Sequence, residues 1–176
     1  GTEGSITELP VLTMPSGDIT HPVPDLTGYI TEGQIVMSHE LFSRGVSPPV
    51  DALSSLSRLM RRGAGPGRTR DDHLAISAQL LALLSRARQA GQLAALIGVD
   101  ALSITERRFL ELSQSFEDDL VDQPFDEARS LEDTLGRAWS VASTVPRREL
   151  TMVGTDLIDA WASVRPGPSG RTGSRS

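Results

Sequence analysis

The chain has 176 residues, 38% apolar and 23% charged, with only four Phe, two Trp and one Tyr, the composition of a mostly helical polypeptide with a hydrated surface. A net charge of −6 disfavours a general nucleic-acid surface, and because all 17 basic residues are arginine, Schiff-base and P-loop lysine chemistry are excluded. The absence of cysteine removes disulfides, thiolate catalysis and Cys-based zinc sites, and no apolar run reaches the ~18 residues that cross a bilayer. No basic flank precedes an apolar segment at the start, so the expectation is a soluble or peripheral protein without direct membrane insertion.

In chain order, the first 60 residues are rich in Gly, Pro and Thr and carry two short apolar runs, Ile6 to Met14 and Gly33 to Met37, which read as strands. Pro15, Gly17, Pro22 and Pro24 lie between them and predict a shaped loop, not a helix. Two short strands do not bury a face by themselves, so this part of the chain wants neighbours. Ser54 to Arg62 reads as a short helix, stopped by Gly63, Gly65, Pro66 and Gly67.

Beyond this boundary the pattern turns helical. Thr69 and Asp72 are spaced as a capping box, with Leu74, Leu81 and Leu84 expected on one face. Ser103 and Glu106 form a second box, followed by a stripe of Phe109, Leu112, Phe116 and Leu120. Ser130 and Asp133 start a third helix with Leu131, Leu135, Trp139 and Ala142 on its apolar face. Pro146 is expected to open a fourth, carrying Leu150, Val153, Leu157 and Trp161. The last residues, Pro166 to Ser176, contain nothing apolar and predict a disordered tail.

The local basic cluster is Arg58, Arg61, Arg62, Arg68 and Arg70, beside a glycine-rich turn. Two readings stay open for it, a solvated linker and a surface for an anionic ligand or partner. The turn is not a Walker loop: Arg62 stands where the first glycine belongs and Arg68 where the lysine belongs. His21, His39 and His73 are too dispersed for a metal motif, and Ser43 stands where a zinc helix would need a second histidine after His39. Glu117, Asp118 and Asp119 lie on the polar face of their helix. Tyr29, Phe42 and the two tryptophans read as core or interface anchors.

The stretch Gly4 to Pro15, then Asp18-Ile-Thr-His-Pro-Val-Pro-Asp-Leu-Thr-Gly-Tyr-Ile-Thr-Glu-Gly-Gln-Ile-Val36, closely resembles the B subunit of V-type and archaeal-type rotary ATPases. The likeness continues in the same order through Pro48-Pro-Val-Asp51, Ser55-Leu-Ser-Arg-Leu-Met60, Gly65-Pro-Gly-Arg-Thr-Arg-Asp-Asp-His73, Ala101-Leu-Ser103 and Phe125-Asp-Glu-Ala-Arg-Ser130.

What the resemblance implies is a mainly α chain with a small α/β part. Residues 1–68 would be the last strands of a RecA-like P-loop nucleotide-binding core, residues 69–165 a C-terminal helical bundle and residues 166–176 a disordered tail. The chain would be the C-terminal portion of a non-catalytic, regulatory subunit that alternates with catalytic A subunits in a hexameric ring. ATP or ADP with Mg would lie at the A/B interface, bound mainly by A, and Arg58 would reach that site as an arginine finger. Ser55 and Ser57 would hold the turn beneath it, with Tyr29 near the interface. Leu93 to Val99 and Ala101 to Ser103 would face the central rotor shaft, and a peripheral stalk would complete the partners of a complex peripheral to the membrane on its cytoplasmic side. Proton or sodium transport would be coupled to ATP synthesis or hydrolysis, and this chain alone would have no activity. One departure from the family's pattern is Ser47, at a position that commonly holds an aromatic lining an adenine pocket. The rival expectations are a free-standing helical interaction protein derived from this subunit, and a catalytic ring subunit or export ATPase, whose sequences diverge from Thr20-His-Pro-Val-Pro-Asp25.

Overall fold

The computed structural model describes residues 4–161. Ile6 to Met14 is not a strand: no described segment pairs with it, and Ile6 and Val11 stand 91% and 95% exposed. An apolar run becomes a strand only when a neighbour takes its backbone hydrogen bonds. The expected loop before Gly33 is also corrected, because Pro22–Ile30 is a helix, α1. Its prolines fall in the first turn, where no N–H is required, and His21 caps it by accepting the Val23 N–H at 3.5 Å.

The run from Gly33 to Met37 yields a short strand, β1 (Gly33–Gln34), antiparallel to β2 (Leu56–Ser57), with Gly33 opposite Ser57 and Gln34 opposite Leu56. The pairing recurs at an isolated bridge between Met37 and Val50. Between these crossings lies α2 (His39–Ser43), capped by the Ser38 hydroxyl. The helix expected from Ser54 to Arg62 is therefore divided into β2 and a single turn, α3 (Met60–Gly63). Its backbone is already committed: the Arg58 N–H donates to the Glu32 carbonyl at 2.9 Å.

The rest is helical: α4 (His73–Ile97), α5 (Ile104–Ser115) running into a π-helical turn Phe116–Val121, α6 (Leu131–Ala142) and α7 (Thr155–Trp161). The Ser103–Glu106 box forms in both directions, and Ser130 accepts the Asp133 N–H at the start of α6. The Thr69–Asp72 box does not form. Asp72 turns inward to Arg70 and Trp139, while Thr69 Oγ1 accepts the Gly65 N–H at 2.8 Å.

α5 and α6 pack against α4, whose buried face is Ile76, Leu80, Leu83, Leu84, Ala87 and Ala90. Leu81 is 46% exposed, so the stripe expected through Leu74, Leu81 and Leu84 is rotated; the stripe that starts at Ile76 meets both partners. Phe109, Leu112, Leu135, Trp139, Val141 and Ala142 complete the centre, with Phe116 and Leu120 packed at its edge. Full burial of such side chains contributes about 1.5–3 kcal/mol each.

The expected fourth helix is broken into a 3₁₀ turn, Arg147–Glu149, and α7. Buried Gln79 on α4 is the cause. Its amide donates to the Glu149 carbonyl at 3.2 Å and accepts the Met152 N–H at 2.7 Å, taking groups that a continuous helix would pair internally. Leu150, Val153 and Ile158 are buried all the same. The expected tail, residues 166–176, lies outside the described residues.

The segment from Ser38 to Leu53 is docked on the helices. Arg44 pairs with Glu117, the Ser47 N–H donates to Asp122 at 3.0 Å, the Gln123 N–H donates to the Ser47 carbonyl at 2.7 Å, and Ala52 and Leu53 pack on the core. Among the described residues, no helix is long and apolar enough to cross a membrane.

Candidate functional site

Arg58 follows β2 at the exposed end of the two-stranded ladder. Its N–H is held by the Glu32 carbonyl and its guanidinium donates to the Thr31 carbonyl at the C-terminus of α1. Among the described residues the guanidinium engages one main-chain acceptor, and the other donors of a fixed, permanently charged fork suit an anion. Gly33 makes this arrangement possible. A Cβ on it would lie 2.6 Å from the Leu56 carbonyl oxygen, so a side chain there would push β2 away.

Tyr29 and Arg58 line one open recess of about 310 Å³, with Thr20, Asp25, Gly28 and Gln34 also on its walls. The structure thus brings together two of the four residues expected at the site. Ser55 points the other way: its hydroxyl donates to the Asp51 carbonyl at 2.7 Å and accepts the Val36 N–H at 3.0 Å, which clamps the turn before β2. Ser57 lies exposed on β2 opposite Gly33.

The basic cluster does not converge on one point. Arg61 and Arg62 are exposed on α3, Arg68 donates to the Arg62 carbonyl, and Arg70 is drawn inward to Asp72, with Nε 2.6 Å and Nη2 2.7 Å from its two carboxylate oxygens. The guanidinium of Arg70 also lies 3.9 Å from the Trp161 ring centroid. Burial by itself would raise the Asp72 carboxyl, but Arg70 and the Trp139 indole N–H outweigh it and hold the group below the usual carboxylate range. The glycine turn closes on itself, with the Arg68 and Thr69 N–H groups both donating to the Gly65 carbonyl, and so offers no phosphate cradle.

At the far end of α4, Leu96, Ile97, Val99 and Ile104 are 83%, 52%, 54% and 79% exposed, an apolar tip on the α4–α5 turn. Within that turn Leu102 is buried and Ser103 caps α5. Tyr29 and Phe42, expected as anchors, are 76% and 70% exposed, whereas Trp139 is fully buried.

Two residues at the turn before β2 escaped the sequence reading. Asp51 accepts the Leu53 N–H at 3.0 Å and the Ser54 hydroxyl at 2.6 Å, and Arg88 of α4 reaches it at 3.1 Å. An Asp three residues before a Ser, after two prolines, is a legible turn signal for Asp51. Arg88 has no such signal.

Residues 62–162 match the family described as the C-terminal domain of V and A type ATP synthase, and residues 1–57 match the nucleotide-binding domain of the ATP synthase alpha/beta family. The chain is 51% identical over 161 residues to the B subunit of the A-type ATP synthase of Sulfolobus acidocaldarius, covering 92% of this chain and 34% of that protein. It is 49% identical to the V-type ATP synthase beta chain of Thermotoga neapolitana, covering 92% and 35%. Among solved structures, the ATP synthase subunit NeqB from Nanoarcheaum equitans superposes with a TM-score of 0.69 at 39% identity, over 76% of this chain and 33% of that one. The chain spans about a third of the length of these relatives, and its matches run along it in the order core segment, then helical domain. On the match of its larger part to the helical domain and of its first part to the nucleotide-binding domain, the chain belongs to the V and A type ATP synthase family.

Proposed function

We propose that this chain acts as the C-terminal portion of a non-catalytic B subunit of a V/A-type rotary ATPase. Residues 1–68 contribute the end of the nucleotide-binding core and residues 69–165 the helical domain. In the assembled ring, Arg58 reaches across the interface to the ATP site of the neighbouring catalytic A subunit. The observation that carries this reading is the presentation of Arg58. It directly follows a strand, is anchored through its own backbone and the Thr31 carbonyl, and shares an open recess with Tyr29.

The residues present fit a nucleotide in one respect and not in another. A guanidinium on an open edge suits a phosphate chain, but in the turn at Gly63 to Gly67 the amides of Gly63, Ala64 and Gly65 are taken by Leu59, Met60 and Thr69 and Pro66 has none, so no row of amides is left to cradle one. ATP or ADP with Mg is therefore assigned mainly to the partner subunit. When bound there, it supplies the phosphoryl group whose charge builds up in a loose transition state. Arg58 contributes fixed donors for that charge without proton transfer, and lysine lacks the same fork. Ser47 supports the assignment, since it offers no ring for a base and its backbone is tied to Asp122 and Gln123.

The apolar tip of the α4–α5 turn is assigned to the central rotor shaft, and the assembled complex to the cytoplasmic face of a membrane sector carrying protons or sodium ions, with a peripheral stalk. The test is Arg58→Ala in a complete B subunit within the assembled complex. Loss of an arginine finger lowers turnover by roughly 10³- to 10⁵-fold with the ring intact. Near-normal ATPase activity in that complex sinks the assignment, and Arg58→Lys is expected to restore only a small part of the loss.

A further inference from the structure

The turn that leads into β2 and Arg58 has its hydrogen bonds converging on one residue. The Asp51 carboxylate accepts the N–H groups of Leu53 and Ser54 at 3.0 and 3.2 Å and the Ser54 hydroxyl at 2.6 Å. The main chain of Asp51 donates to the Val36 carbonyl at 2.9 Å, and its carbonyl accepts both the N–H and the hydroxyl of Ser55, at 3.0 and 2.7 Å. Ser55 in turn accepts the Val36 N–H, so both strands of the crossing are registered from Asp51. Three residues further on, the Arg58 N–H meets Glu32.

The other half of the arrangement comes from the helical body. Arg88, in the middle of α4, sets Nη2 at 3.1 and 3.2 Å from the two carboxylate oxygens of Asp51. The pair spans a cavity of about 320 Å³ between the Ser38–Leu53 segment and α4–α5, so no continuous packing backs the turn there. Without that pair, the turn itself keeps Ala52 and Leu53 on the core, and the next anchors to the bundle stand further back, at Ser47 and Arg44.

We propose that Asp51 and Arg88 are positioning residues for Arg58, a link through which α4 sets where the guanidinium stands at the interface. The proposal rests on the reading of Arg58 as a finger. A phosphoryl-transfer group works only in place, and misplacement by about 1 Å costs on the order of 10²-fold in rate. Arg88 is half exposed and its removal leaves the internal bonds of Asp51 standing, so the expected loss is smaller, about tenfold. One guanidinium nitrogen makes both contacts, so a lysine ammonium can replace it here, unlike at Arg58.

The experiment measures ATP turnover against Mg-ATP concentration for assembled complexes with a complete B subunit carrying Arg88→Met, Arg88→Lys, Asp51→Asn, Arg58→Ala, or Arg58→Ala with Arg88→Met. The expected results are a kcat about tenfold lower for Arg88→Met with KM unchanged, recovery in Arg88→Lys, and no further loss from Arg88→Met once Arg58 is alanine. Wild-type kcat in Arg88→Met, or an additive loss in the double variant, overturns the positioning role while a crippled Arg58→Ala leaves the finger standing. Normal turnover in Arg58→Ala overturns both. Failure of Arg88→Met and Asp51→Asn alike to assemble overturns the proposal in favour of a purely structural role.

Discussion

The Asp72 carboxylate is the most demanding group in the helical body, and Asp72→Asn measures what it contributes. Its side chain is fully buried and accepts from Arg70 Nε at 2.6 Å, Arg70 Nη2 at 2.7 Å and the Trp139 indole N–H at 2.5 Å. An asparagine has the same shape but only one acceptor oxygen, so in either orientation its amide faces a donor of Arg70 or Trp139. Breaking a buried charged pair costs about 3–5 kcal/mol. Arg70 keeps Glu132 at 3.4 Å and the face of Trp161, which moves the expectation to the lower end, about 3 kcal/mol. Against a typical total of about 5–15 kcal/mol, that is a large shift in the urea midpoint.

The assay is equilibrium unfolding of the full chain followed by tryptophan fluorescence, repeated down the pH scale. Because the folded carboxyl is held below its unfolded value of about 3.9, its stabilisation is complete well above that pH. It is lost as pH falls through the lower, folded value. The gap between wild type and Asp72→Asn is therefore widest at neutral pH and narrows in acid. A loss under about 1 kcal/mol at pH 7, or a gap that is the same at pH 3 and pH 7, refutes the account.

Gly33→Ala brings a Cβ to 2.6 Å from the Leu56 carbonyl oxygen, so amide exchange at Ser57 and Arg58 is expected to quicken while α4 and α6 keep their protection; unchanged exchange at Arg58 counts against the ladder as its support. Ser103→Ala removes the cap of α5 and is expected to cost about 1 kcal/mol in thermal or urea unfolding, with Glu106→Gln milder because its amide oxygen still reaches the Ser103 N–H. Leu112→Ala, at a fully buried position, is expected to cost about 2–5 kcal/mol in the same assay.

Local chemistry was legible in the sequence wherever nothing distant competed for it. Ser103 with Glu106 and Ser130 with Asp133 cap helices as their spacing implies, because these bonds close within one turn. Thr69 with Asp72 has the same spacing and fails, since Asp72 is claimed by Trp139, 67 residues away. The fourth helix breaks for a similar reason: Gln79, far earlier in the chain, takes the carbonyl and N–H that flank the break. Pro22 and Pro24 misled in another way, because proline stops a helix from inside but suits its first turn. At the site, Arg58 and Tyr29 were named by their flanking motif and share a recess. Arg88 carries no local mark, and only the folded chain brings it to Asp51.

The distribution of exposed apolar side chains separates the chain more deeply than the glycine turn does. The helical body closes its own core around Trp139, Ile76, Leu83 and Leu112, and groups its large apolar side chains that are more than half exposed at the α4–α5 tip, with Phe125 and Met152 open singly elsewhere. Ahead of Ser38 the opposite holds: Ile6, Leu9, Val11, Leu26, Tyr29 and Ile30 are all more than half exposed. The segment from Ser38 to Leu53 belongs physically to the helices, through Arg44, Ser47, Asp51, Ala52 and Leu53, although it precedes β2 in sequence. The change of body therefore falls at the two strand crossings, near Ile35 to Met37 and Ser55 to Ser57. Arg58 stands directly at the end of the second crossing. Arg58 is therefore only a few residues from both bodies, tied to one through the Glu32 and Thr31 carbonyls and to the other through the turn at Asp51.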